Sequence, residues 1–312
     1  MTDAIGLHLD RHSLAIFRGG QISVQPILKA KQRDAVDPGV FGAQHLLDEL
    51  RQRLLPAPAA GASAVFAVPG DFDVPIVSRL ARICQVAGLD DVAFVDAAAL
   101  TMAVEQHAEV ALMLQLGWRD FIVGRVRGGE QCVREKTWLH ASMSLARLHD
   151  RWVESIAAAM VKQTRFDPLH DRGGERSLFS QLPRALEEAT GDGQTRIVVT
   201  SSGSEFAVTL SSQHFEEVAA TDYAAIIDAL LAARGEAKDL LCVVPQATLH
   251  WPGFMARLSK AIDARVVGIP DGLLAKVACS LVGHFPAAHA TWRVPKLSNS
   301  EWQVALVKDG AP

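Results

Sequence analysis

Apolar runs from Ala4 to Leu9 and from Leu14 to Phe17 and, after an Arg18-Gly19-Gly20 turn, alternating apolar positions from Gln21 to Ile27 predict an antiparallel meander. Lys29 to Gly61 is irregular and charged, with an amphipathic helix near Phe41 to Leu55 and an Ala/Pro-rich linker, LLPAPAAGAS, at its end. Ala64 to Val104 reads as a compact unit. An apolar strand Ala64 to Val68, Pro-Gly-Asp punctuation, an amphipathic helix ending at Gly88, a short strand Val92 to Val95 and an Ala-rich helix follow one another.

The opening pattern then recurs. Val110 to Gly117 is a buried-strand run, and Phe121 to Val126 with Glu130 to Trp138 makes a second meander around Arg127-Gly128-Gly129. Apolar positions at helical spacing predict a long helix from Trp138 to Lys162. Asp167 to Ser180 reads as polar and irregular, with a helix from Leu182 to Thr190. Thr195 to Thr200 and Glu205 to Leu210 form a hairpin around Ser201-Ser202-Gly203. A helix opens at Ser211-Ser212, a second amphipathic one covers Asp222 to Arg234, and Asp239 to Val244 is a buried strand. Helix Phe254 to Ile262, strand Ala264 to Val267 and a helix from Ile269 to Leu281 come next. Ala290 to Val294 and Glu301 to Val307 then suggest a terminal hairpin.

Composition narrows the class. With 312 residues, 49% hydrophobic and 21% charged, the chain can bury one large core or two moderate ones. A net charge of -4 supplies no electrostatic footprint for nucleic acid or an anionic membrane. Cys84, Cys132, Cys242 and Cys279 are widely spaced in apolar or mixed elements, so they read as buried free thiols in a reducing cytoplasm. The first residues, MTDAIGLHLDRHS, carry neither a basic nor a long apolar region, and no run reaches the roughly 18 apolar residues of a membrane span. The expectation is a cytoplasmic chain that does not insert in a membrane.

Short motifs add a resemblance. Val68, Pro69 and Phe72, then Arg82, Ala87, Gly88 and Leu89, then Asp96 to Ala99, follow the order V-P-x-x-F, R-x-A-x-x-A-G-L and N-E-P-T-A-A-A. Pro270, Asp271, Ala275 and Ala278 match a later P-D-x-A-V-A-x-G-A-A helix. In this the chain resembles the DnaK-like (seventy-kilodalton heat-shock) ATPases. The resemblance implies an α/β, actin-like (ribonuclease-H-like) fold of two lobes. It implies lobe I at 1–108, lobe II at 109–268, a helix returning to lobe I at 269–284 and a C-terminal extension at 285–312.

The resemblance also locates where nucleotide chemistry would lie, and there the chain departs from the family. The three acidic positions correspond to His8, Ala97 and Gln115. The first phosphate turn becomes Asp10-Arg11-His12, and the second becomes Gly117-Trp118-Arg119. The glycines expected under adenosine are replaced from Pro245 and Gln246 onward, where Pro245 lacks a donor. An indole at a glycine position, Trp118, would take space that a phosphate needs. Arg11 and His12 read either as a substitute phosphate contact or as an exposed turn. Asp10, Asp96 and Asp120 read either as a rearranged metal site or as solvated loop acids.

Three functions follow as expectations. The first is a pseudo-ATPase, catalytically inactive and without cofactor or metal, that binds another protein as a scaffold or assembly subunit. The second is an ATPase binding ATP or ADP with magnesium through remodelled loops, using Arg11 and Arg119. The third is an actin-like filament former. No P-loop, dinucleotide, zincin or nucleophile-elbow motif points elsewhere.

Overall fold

The computed structural model describes residues 4–9, 13–26, 62–86, 88–89, 91–104, 108–141, 143–285, 290–291 and 293–295. The helix expected near Phe41 to Leu55, the Asp10-Arg11-His12 turn and the strand expected at Glu301 to Val307 lie outside these residues.

The chain is mixed α/β. Strands β1 (Ala4–Leu9), β2 (Ser13–Arg18) and β3 (Gln21–Pro26) form the antiparallel meander that the sequence pattern predicts. β4 (Ser63–Val68) lies parallel to β1, and after helix α1 (Val74–Val86) β5 (Asp91–Asp96) lies parallel to β4. Helix α2 (Ala97–Val104) follows directly. The second meander is β6 (Val110–Leu116), β7 (Phe121–Arg127) and β8 (Gln131–His140). Helices α3 (Leu145–Thr164) and α4 (Arg172–Asp192), the hairpin β9 (Gln194–Ser201) and β10 (Ser204–Ser211), and helix α5 (Ser212–Arg234) come next. β11 (Leu240–Pro245) lies parallel to β6, helix α6 (Phe254–Ala261) follows, and β12 (Arg265–Ile269) lies parallel to β11. Helix α7 (Leu273–Ser280) completes this half.

Two six-stranded sheets result, and they repeat one plan. The first has the order β13-β5-β4-β1-β2-β3 and the second β12-β11-β6-β7-β8-β14, with β13 (Ala290–Thr291) and β14 (Arg293–Pro295) at opposite kinds of edge. In each half an antiparallel meander is followed by two strands parallel to its first strand, a helix between those two strands and a helix after them.

The strand periodicity explains where each face goes. Val110, Leu112, Leu114 and Leu116 of β6 face the large core shared with α3 to α6, while Ala111 and Met113 face a middle layer. That layer contains α2, all but one of whose residues are buried, and α7. α7 packs on β1, β2 and β4 and against α2, and α2 also packs on β7 and β8. Among the described residues no helix is long and apolar enough to cross a membrane.

Several sequence expectations are corrected. Trp138 to His140 belong to β8, because Trp138, Leu139 and His140 pair with Val123, Ile122 and Phe121. The helix starts only at Leu145, capped by Ser144, whose hydroxyl accepts from the Arg147 amide at 3.3 Å. Pro168–His170 is a 3-10 turn, and from Arg172 on the stretch expected to be irregular and the short helix after it are one helix, α4, because Leu178, Leu182, Ala185, Leu186 and Ala189 bury one face. Pro183 removes one backbone bond inside it without ending it. Ser211 caps α5 as its type suggests, but α5 runs unbroken to Arg234. In the terminal segment Ala290 and Thr291 pair in parallel with β5, and Arg293 to Pro295 pair antiparallel with β8.

The cysteines are free, with Cys84, Cys132 and Cys242 buried and Cys279 partly exposed. Burial pushes the Cys84 and Cys242 thiols up to about 12, so neither presents a thiolate. A disulfide-exchange reagent is therefore expected to modify Cys279 in the native protein and the other three only in denaturant. Rapid native reaction of more than one thiol would contradict this packing.

Candidate functional site

Two strand ends meet in the middle layer. Ile5, Leu7 and Leu9 of β1 face the outer core of the first half, so Gly6 and His8 face α7. Gln115 continues the Ala111 and Met113 face of β6. His8 is 9% exposed and Gln115 3%, and both line one cavity with Ser13, Pro245, Asp271 and Gly272. The Gln115 side-chain amide nitrogen has no hydrogen-bond partner among the described residues. The cavity holds about 30 Å³, room for one or two water molecules. Pockets that take drug-sized ligands start at roughly 300 Å³.

Beside it, the start of α3 is already satisfied. A helix N-terminus offers unpaired amides, and with its dipole these make a ready anion site. Here the loop from Gly117 to Asp120 turns back on itself through Gly117 N donating to Asp120 O at 2.8 Å. Its carbonyls then take the helix donors: Leu145 N donates to Gly117 O at 2.9 Å and Ala146 N to Trp118 O at 3.3 Å. The Ser144 hydroxyl takes the next amide, that of Arg147. Trp118 does not fill the cleft. It packs on the core of the second half, edge-on to His149 with ring centroids 5.5 Å apart. Arg119 and Asp120 are half-buried.

Asp96 is the largest departure from the sequence reading. It is a fully buried acid, not a solvated one. Its Oδ1 accepts from the Ala99 amide at 2.8 Å, capping α2, and its Oδ2 lies 3.1 Å from Arg134 Nη1 on β8. Burial pushes this carboxyl above the ordinary carboxylate range, against the opposing pull of Arg134 and the amides of Ala99 and Ala98. Among the described residues no three His, Cys, Asp or Glu side chains gather as a metal group.

The structure thus brings His8, Gln115 and Pro245 to one cavity and gathers Gly117, Trp118 and Arg119 into the turn that caps α3. Ala97, buried at the first turn of α2, does not line the cavity. Gln246 opens the 3-10 turn Gln246–His250, where Thr248 donates back to Pro245 O at 2.8 Å. Trp251 is buried in an aromatic group with Trp152, Tyr223 and Phe254. Sequence reasoning missed Arg134 and Ser144. Arg134 shares a strand face with the apolar Cys132, two residues away, and that break in alternation was the available signal. A scan against protein-family models matches none of them, and a search of curated proteins finds no relative of this chain.

Proposed function

We propose that the chain is a DnaK-like, actin-fold pseudo-ATPase that works by binding another protein as a scaffold or assembly subunit. The fold part of this reading is supported by the repeated order of strands and helices, which matches the duplicated plan the resemblance implies. The observation that carries the loss of activity is the start of α3, whose amides are bonded to Gly117 O, Trp118 O and Ser144 Oγ. Phosphoryl transfer is catalysed mostly by positioning and electrostatics, with backbone donors on phosphate and acids holding metal ions. Donors that already have partners must lose them before they can hold a phosphate. The positions that are acidic in the family hold Gln115 and His8 at the cavity and Ala97 beyond it, and the carboxylate that lines the cavity is that of Asp271.

A melt of the full chain with millimolar ATP or ADP and magnesium tests this reading. A ligand that binds only the folded state stabilises it by RT ln(1 + [L]/Kd), about 2.7 kcal/mol at a hundredfold excess over Kd. The expected shift is under about 1 °C for both nucleotides. A rise of several degrees abolished by EDTA would overturn the pseudo-ATPase reading in favour of the remodelled ATPase.

A further inference from the structure

The layer between the two halves is apolar. Ala97, Ala98, Ala99 and Ala103 of α2 meet Ala93 and Ala111 of the two sheets, among larger apolar residues. Hydrophobic burial is non-directional.

A charged contact crosses that layer. Asp96 ends β5 of the first sheet and caps α2, while Arg134 comes from β8 of the second sheet. The turn after β4 closes over the pair. A methyl group on Gly70 would stand 2.8 Å from Thr137 Oγ1 and 3.1 Å from Arg134 Nη1. Asp96 is fully buried and the Arg134 side chain is 15% exposed, so both charges have lost most of their water. Burying a charge pair gives back much of its attraction as desolvation, and separating the partners within a dry layer costs more still.

We propose that the Asp96–Arg134 pair is a register pin that selects one relative orientation of the two halves, and contributes orientation more than net stability. An altered orientation would separate Oδ2 from Nη1 while both remained in a dry layer. The pin stands on this geometry and not on the proposed loss of ATPase activity, and its readout is independent of nucleotide. For a scaffold it means that surfaces on both halves are presented to a partner in one fixed arrangement.

Hydrogen exchange on the full chain, compared among the native protein, Asp96→Asn and the double variant Asp96→Asn with Arg134→Met, tests the pin. Asparagine keeps the cap on α2, and the double variant leaves no charge stranded if the single one fails to fold. The expected result in the double variant is exchange at least about tenfold faster in α2, β8 and α7, with α3 and α5 unchanged, the signature of sub-global opening. Unchanged protection in α2, β8 and α7 would overturn the proposal. Equal loss of protection in α3 and α5 would overturn it as well, since the pair would then be an ordinary stabilising contact.

Discussion

Replacing Gly6 with alanine is expected to lower the melting temperature by about 10 °C, a loss of about 3 to 5 kcal/mol. β1 passes so close beneath α7 that a methyl group at Gly6 would lie 1.8 Å from the Ala275 carbonyl oxygen, 2.5 Å from the Cys279 nitrogen and 2.7 Å from the Cys279 Cβ. Two of these three are backbone atoms of a helix, so relief requires moving α7 off β1. That movement would open the packing of α7 on β2, β4 and α2 together. The backbone at Gly6 is ordinary strand, so the effect is steric and owes nothing to glycine's conformational freedom. Gly191, inside α4 with open space around it, is the control: alanine there is expected to stabilise by roughly 0.5 to 1 kcal/mol. Equal melting temperatures for the two alanine variants would show that α7 does not press on β1 in this way.

The second large effect is expected at Trp152. Its side chain is fully buried in the core of the second half, 5.7 Å from Trp251 between ring centroids, and Nε1 donates to Phe215 O at 3.1 Å. Truncation to alanine removes an indole's burial and its hydrogen bond to Phe215 O, which together cost about 4 to 6 kcal/mol. Phenylalanine keeps most of the volume and loses the hydrogen bond, at about 1 to 3 kcal/mol. Denaturant titration of both variants separates the packing contribution from the polar one. Equal losses would mean that the hydrogen bond to Phe215 carries the whole effect.

The packing seen at these two positions also shows which features a sequence can carry. Apolar runs and the turns between them placed β1 to β3 and β6 to β8, and the Ser211 cap and the apolar stripe of α3 placed the helices around them, because period and capping act over a few residues. The polar run before Leu182 misled for the opposite reason. Gly173 and Gly174 lie in the stretch that reads as irregular, yet α4 forms because Leu178, Leu182 and Leu186 bury one face in the core of the second half. Tertiary burial outweighed a local preference of about 1 kcal/mol per glycine. The same limit applied at Trp138 to His140, where pairing with β7 decided for strand.

At the candidate site the sequence alone determined which residue types stand at the strand ends and turns: His8, Gln115, the Gly117-Trp118-Arg119 turn and Pro245. Only the tertiary structure decided what those positions do. It put His8 and Gln115 on one small cavity, turned the indole of Trp118 onto the core, and used the carbonyls of Gly117 and Trp118 to cap α3. It also made Asp96 a buried partner of Arg134. Periodicity, caps and turns are written locally and survive in a single sequence. Burial of one charge, or the approach of a helix to a glycine 269 positions earlier, as Ala275 approaches Gly6, depends on what packs opposite, and that is fixed only when distant elements meet.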